Sequence, residues 1–495
     1  MSLDQALLLG AVVLLVCILS ARIGSRLGLP SLLLFLALGM VVGEISARFG
    51  FRFADASLAH ALGFAALVLI LAEGGFTTKW SEIKGALPVA ILLATVGVGV
   101  QVALVALFAH YVLGMGMMTS ILLGAITSPT DSAAIFSVLR KVPLPARIRA
   151  TLEAESGFND APIVLLVTTA SHWAVYGMDE HPGELIATVG GELIGGLLMG
   201  IVIGWFGAQV LRSIALPSSG LYPLAAMGFA VFAYGFGTYL HLSGFAAVYV
   251  ASVVLGNSKL PHRNATRSFA EGVGWIAQIG LFVMLGLLAD AMRISASAAI
   301  GGIAVGAFLT LLARPIAVFI CAAWKRIGLR EQFFYSWAGL RGAVPIIMAL
   351  VPLAEKVPDA DLLFDTVFCF VVIFTVLQAP TLPLVARLTK VSGPNDSTDL
   401  DIEFAPLDNI QADMMQVRIE EGSRLHGISL RELRLPRNSV ISLVIREGTT
   451  FTPHADDRLA TGDDLLIVTR AADRGKVERR LRDLSDKGRL AKWNK

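Results

Sequence analysis

The chain has 495 residues, of which 55% are hydrophobic and 16% charged, with a formal net charge of +2. That is too apolar and too poor in charge for an ordinary soluble enzyme, so an integral membrane protein without enzymatic activity is expected. The near-neutral balance points to no nucleic-acid partner. The three cysteines (Cys17, Cys321 and Cys369) lie in apolar runs and fit neither a disulfide framework nor a metal spacing.

A helix needs roughly 20 apolar residues to cross a bilayer. Residues 5–22 are apolar, no cleavage-site pattern follows, and more apolar runs come directly after. They read as a first transmembrane helix rather than a signal peptide. Further spans follow at 31–49, 57–76, 86–113, 118–140, 152–176, 186–211, 221–241, 243–257, 268–289, 298–324, 334–354 and 363–386, the ninth being short. With the N-terminus outside, the cytoplasmic loops hold seventeen Lys and Arg, including Lys79, Lys84, Arg147 and Arg149. The outer loops hold only Arg48, Arg52, Arg293 and Lys356. This asymmetry is the positive-inside pattern and supports the count of thirteen.

Spans 1–6 and 8–13 make two halves, with the seventh as connector, and an offset of seven inverts one half relative to the other. The fifth helix of the first half carries Pro129 in "ITSPTDSAAIF". The fifth helix of the second carries Gly339, Gly342 and Pro345 in "GLRGAVPIIM". Proline removes an internal hydrogen bond. Interrupted helices at matched positions of inverted halves point to a transport site at the midplane.

Ionisable residues at membrane depth are costly and mark function. Asp131 follows the first break, where it can cap a restarted half-helix, serve a cation site, or do both. In "LEAESGFNDAPIVLL", Glu153, Ser156, Asn159 and Asp160 lie near one face, and Glu155 pairs with Asn159 at i,i+4. A deep carboxylate such as Asp160 can hold a proton or a cation, and that competition is the minimum machinery of an antiporter. Arg341, between Gly339 and Gly342, needs a carboxylate partner if buried. Glu155 is the first choice and Glu153 the second. Arg314, mid-span in "LLARPIAV", is a second buried cation that can neutralise the glutamate left over. Glu73, in "LILAEGGF", reads either as an interface residue or as a ligand or gate on the cytoplasmic path.

Residues 395–495 contain 17 Lys/Arg and 18 Asp/Glu, a much denser charge than the rest of the chain. A transmembrane domain at 1–390, a linker at 391–413 and a soluble domain at 414–495 are expected. "MQVRIEE" and "VISLVIRE" alternate like strands, "SLRELRLP" reads as a short helix, and "LATGDDLLIVT" as a turn into a strand. "DRGKVERRLRDL" reads as a final helix. The expected fold is thus an all-α polytopic membrane protein with inverted repeats and two broken helices, followed by a small α+β cytoplasmic domain.

The stretches "SPTDSAA", "EAESGFND" and "WAGLRGAVPI" together resemble the NhaP-like branch of the monovalent cation–proton antiporter superfamily. The resemblance implies a cation site of Thr130, Asp131, Ser156 and Asp160, with Asn159 beside the key acid and Glu73 near the ion. It also implies a structural ion pair of Glu155 with Arg341. Here the proline precedes Thr130, whereas the family usually has it after the acid. The Asn159-Asp160 pairing is similar to that of electroneutral members, so one cation per proton is implied. A homodimer and an elevator-like movement of a core domain are implied as well. The tail, through Gly422-Ser423, "LRELRLP", "IREG" and "TPHADDRLATGDDLLIV", is similar to the TrkA-C regulator-of-conductance module. Such modules dimerise and in some families bind a small ligand such as a cyclic dinucleotide. No Gly-rich dinucleotide fingerprint precedes it, and no cofactor is expected. Core and tail together resemble bacterial cell-volume-regulation potassium–proton antiporters, which implies exchange of K+ or Na+ for H+ across a bacterial inner membrane. The rivals are a tail-gated potassium channel, although no TVGYG-like filter is present, an organic-anion transporter, which would want a net basic site, and a non-transporting membrane sensor.

Overall fold

The computed structural model describes residues 3–487 apart from 28–29, 49–52, 54, 132–133, 136–137, 140–143, 178–181, 290–293, 326, 392–399, 408–411, 421–422, 447–448 and 471–472. The chain divides into two compact units, Met1–Val391 and Ser392–Lys495.

In the first unit helices stand at all thirteen expected places. Eight are long and apolar enough to cross a membrane: Ser31–Arg48, Ala56–Thr77, Leu87–Tyr111, Ala187–Ser213, Leu221–Tyr239, Arg263–Leu288, Ala296–Ala323 and Ala360–Leu388. Leu3–Leu27 is the first span, and the 14-residue Gly244–Asn257 is the short ninth. The sixth is Ala146–Tyr176, whose polar stretch falls within one uninterrupted helix of 31 residues. The remaining two, the fifth and twelfth, are broken.

In lipid there is little apolar surface to be gained by helix association, so close packing of small residues does much of the work. The seventh span lays Gly196, Gly200 and Gly204 against the backbone of Ser243, Ala247 and Ala251 in the ninth. Gly39 of the second span and Gly286 of the tenth bring those two backbones together in the same way. The helices gather into two groups. Spans 1–3 pack with 7–10, and spans 4–6 with 11–13. The groups meet mainly along the third, sixth, ninth and twelfth spans.

Among the described residues the fifth span is helical over Met117–Thr127 and again at Ala134 and Ile135, with Pro129 to Asp131 outside any helix. Ser128 still keeps helical angles, and the helix ends there because Pro129 has no N–H to donate to the preceding turn and its ring crowds the carbonyl four residues back. The twelfth is split into Leu329–Trp337 and Ala343–Ala354. Pro345 lies in the first turn of the second piece, where its missing N–H costs nothing. The two gaps cross, and Asp131 N–H donates to the Leu340 carbonyl at 2.8 Å. The fourth span of each half also shares a feature. Each contains one π-helical turn, Leu93–Gly97 in the first and Leu309–Ala313 in the second. Such turns mark functional sites in many helices, and their matched positions agree with the inverted repeat.

The second unit is a five-stranded antiparallel sheet of order β1-β2-β5-β3-β4, with β1 Leu400–Leu407, β2 Ala412–Ile419, β3 Ser439–Arg446, β4 Thr449–Phe451 and β5 Asp464–Arg470. The helix Arg474–Lys487 buries Val477, Leu481 and Leu484 in a core with Met415, Val417, Leu465 and Ile467. Leu430–Leu433 is the expected short helix, opened by a Ser429/Glu432 capping box. The expected linker at 391–413 needs correcting, because β1 and the start of β2 fall inside it. Polar residues dominated that reading, yet "LDIEF" already alternates apolar and acidic residues at the strand period.

The helix contacts at glycine lead to a prediction. Gly286→Leu forces apart the second and tenth spans and destabilises the detergent-solubilised protein by about 1–3 kcal/mol of overpacking, read as a lower melting midpoint. Gly280→Leu, at a position of the same helix with open space around it, leaves the midpoint nearly unchanged.

Candidate functional site

Each break frees backbone groups that nothing in a bilayer can satisfy. On the carbonyl side the partner is Arg341. Its Nε donates to the Thr127 carbonyl at 3.3 Å, its Nη1 to the Gly339 carbonyl, and its Nη2 to Gln101 Oε1 at 3.2 Å. One guanidinium thus serves the carbonyl ends of both interrupted helices, where a positive charge is favoured. Thr375 Oγ1 donates to the Arg341 carbonyl at 3.1 Å and ties the gap to the thirteenth span.

On the amide side the partner is Asp131. Its Oδ1 accepts from Ala134 N–H at 3.3 Å, where the fifth span resumes. Its other carboxylate oxygen lies against Gly342, the residue that opens the half-helix Ala343–Ala354. A Cβ at Gly342 would collide with it, so glycine is required there by the close approach. One carboxylate therefore faces two half-helix N-termini, both of which favour an anion.

The sixth span packs beside this crossing. Asn159 Nδ2 donates to Thr130 Oγ1 at 3.1 Å and holds the non-helical stretch in place. Asn159 and Asp160 are both buried, at 0% and 5% exposure. Oδ1 of each is enclosed with no hydrogen-bond partner. Buried acceptors without donors are rare because each one costs desolvation free energy. A cavity of about 350 Å³ reaches this point, its walls including Glu73, Thr130, Asp131, Ser156 and Asp160. Its other end is bordered by Thr77, Thr78, Arg149 and Glu153, at the side of the molecule where the basic loops lie. Of the expected ion-site residues, five line this cavity. Asn159 stands behind it and positions Thr130.

The expected pair of Glu155 with Arg341 is not formed. Glu155 is held instead by Arg314, with Nη1 to Oε1 at 2.5 Å and Nη2 to Oε2 at 2.9 Å, both side chains being fully buried. Arg314 follows directly on the π turn Leu309–Ala313 and meets Glu155 as a two-pronged fork. Arg341 has its carbonyl partners within its own gap and cannot also span to Glu155. Glu153, the second choice for Arg341, instead accepts from Thr78 Oγ1 at 3.4 Å across the interface of the helix groups.

Gln101 was not anticipated. It is fully buried, donates from Nε2 to the Gly97 carbonyl at 3.1 Å and orients Arg341. The signal was present, as it is the one amide in the apolar Leu87–Tyr111 span. Tyr249, also on the cavity wall, gave no signal, because a tyrosine in an apolar helix reads as packing.

Two interrupted helices crossed at membrane depth, with carboxylates in a cavity at the crossing, define a secondary ion transporter of multi-pass architecture. The chain belongs to the sodium/hydrogen exchanger family, a family of cation/proton antiporters, whose transmembrane domain matches residues 11–388, and a TrkA-C domain matches residues 414–482. It is 32% identical over 475 residues to the K(+)/H(+) antiporter NhaP2 of Shewanella oneidensis, covering 94% of this chain and 81% of that one. It is also 32% identical to the K(+)/H(+) antiporter NhaP of Alkalimonas amylolytica, over 95% of this chain and 82% of that one. The solved sodium proton antiporter MjNhaP1 of Methanocaldococcus jannaschii shares its fold, with a TM-score of 0.64 and 24% identity over 78% of this chain and 99% of that one.

The Glu155–Arg314 geometry predicts an asymmetric double-mutant cycle. Arg314→Met leaves a buried carboxylate alone and costs about 3–5 kcal/mol, seen as loss of folded protein on fluorescence-detected size exclusion. Adding Glu155→Leu recovers much of the folded fraction.

Proposed function

We propose that the protein exchanges one monovalent cation, K+ in preference to Na+, for one proton, with Asp160 holding the two in turn. The observation that carries this is the enclosed, unpartnered Asp160 Oδ1 where the cavity meets the crossing, with the unpartnered Asn159 Oδ1 behind that wall. A cation or a proton on Asp160 supplies the missing positive partner. Asp131, Thr130 and Ser156 offer further oxygens on the same wall, and Glu73 offers a carboxylate from the other helix group. Asn159 is neutral, so a single carboxylate of the Asn159-Asp160 pair changes charge, which makes the cycle electroneutral. Arg314 with Glu155, and Arg341 with the broken ends, brace the site without meeting the ion. The names of the relatives support potassium.

In this reading the domains divide as a transmembrane transporter, a short connection and a TrkA-C regulatory domain. The protein sits in a bacterial inner membrane as a homodimer, with its N-terminus outside and the tail in the cytoplasm. The cavity is then the cytoplasmic access path. The tail reports a cytoplasmic signal, through a small ligand such as a cyclic dinucleotide or through dimerisation, and the exchange serves pH and volume homeostasis.

Everted membrane vesicles with an imposed pH gradient and a fluorescent pH probe test this. Potassium, sodium, lithium and rubidium are added separately, and Asp160→Asn abolishes cation-dependent proton movement. The apparent KM for the cation rises as pH falls, by up to about tenfold per pH unit, the limit for one proton competing at one site. An imposed membrane potential leaves the rate unchanged. Absence of any cation-dependent proton movement, with and without the tail, sinks the antiport reading.

A further inference from the structure

Tyr249 belongs to the ninth span, and its enclosed hydroxyl makes no hydrogen bond of regular geometry, the Thr78 side chain being its polar neighbour. The side chain is 5% exposed and borders the same cavity as Asp160. Its phenol tip fills a notch at Gly157 of the sixth span, where a Cβ would collide with both the hydroxyl and the ring. The ring also meets Phe158 edge-on, with centroids 5.7 Å apart. Gly157 is four residues after Glu153 and three before Asp160, so all three lie along one helix face. The hydroxyl is therefore set over the stretch between the two carboxylates, along the line from the basic-loop end of the cavity to Asp160.

Tyr249 comes from the other helix group. Its helix is locked to the third span, which carries Glu73. Gly75 lies against Ser252 and the Tyr249 carbonyl, and Gly256 lies against Phe76. Tyr249 and Glu73 thus belong to one packed helix group, and Gly157 and Asp160 to the other. A hydroxyl without a regular hydrogen bond is tolerated at such a place when a mobile species completes its bonding. A neutral phenol oxygen can replace one hydration oxygen of a cation without adding a charge that would trap it.

We propose that Tyr249 is a specificity-determining residue of the exchange. Its hydroxyl offers an oxygen to the dehydrating cation on its way to Asp160, and Gly157 is the notch that seats it. This rests on the reading of Asp160 as the site of cation and proton competition.

The test uses the full-length protein in proteoliposomes, with cation-dependent proton movement measured for K+ and Na+. Tyr249→Phe keeps the ring and its Phe158 contact and removes only the oxygen. The expected result is a rise in apparent KM of about 2- to 10-fold, the range for loss of one neutral polar contact. The maximal rate stays nearly constant, and the K+ to Na+ ratio of KM values changes. Gly157→Ala, which displaces the hydroxyl, shifts KM and the ratio in the same direction, and adding Tyr249→Phe to it has little further effect on KM. Unchanged KM and ratio in Tyr249→Phe, or a fall in maximal rate alone, overturns the proposal and leaves Asp160 untouched. Loss of exchange in Asp160→Asn alongside a normal wild type keeps the two failures apart. A wild type that moves no protons with any cation removes both readings.

Discussion

The constraint on which the rest of this structure depends is the need to satisfy backbone groups freed at membrane depth. Two helices stop midway, and a bilayer offers no water to the carbonyls and amides they expose. The chain meets this by crossing the gaps, so that Asp131 N–H reaches the Leu340 carbonyl. Arg341 then gathers carbonyls from both interrupted pieces, and Asp131 faces both resumed ones. A cation at the carbonyl ends and an anion at the amide ends also match the half-helix dipoles. Asp131, proposed above as part of the ion site, is thereby a structural cap, and in that reading the two roles share one carboxylate.

From this crossing the supporting charges follow. Arg341 is occupied by backbone, so Glu155 needs another partner, and the π turn in the eleventh span delivers Arg314 to it. The matching π turn in the fourth span is followed four residues later by Gln101, which orients Arg341. Both polar residues are presented by the same irregularity in the two halves. Among the described residues, Asp160 Oδ1 and the Tyr249 hydroxyl are buried oxygens of the cavity lining without a regular hydrogen bond. A transporter needs an incomplete site there, because one fully satisfied by protein would have nothing to gain from an ion.

The division into helix groups gives this incompleteness a mechanical context. Thr130, Asp131, Ser156 and Asp160 belong to one group, while Glu73 and Tyr249 belong to the other. Small residues lock helices firmly within a group, as along Gly196, Gly200 and Gly204. The cavity lies where the groups meet, so any relative movement alters its lining before it alters either packed body.

Much of this was legible in the chain alone. Thirteen apolar stretches with alternating basic loops determined the spans, because bilayer thickness and loop charge act on sequence locally. Pro129 and the glycines around Arg341 marked the breaks, and the clustering of Asp131, Ser156, Asn159 and Asp160 pointed to the residues that the structure gathers at and behind the cavity wall. The strand β1 was legible too, although its acidic residues masked its alternation. The partner of Glu155 was decided only by the tertiary structure. Arg314 lies 159 residues away in sequence, and both arginines carry the same charge within reach of the same region. Which one turns to the glutamate depends on the gap carbonyls having claimed the other, and no local pattern records that competition. The same holds for Tyr249, whose notch at Gly157 exists only once two distant helices pack.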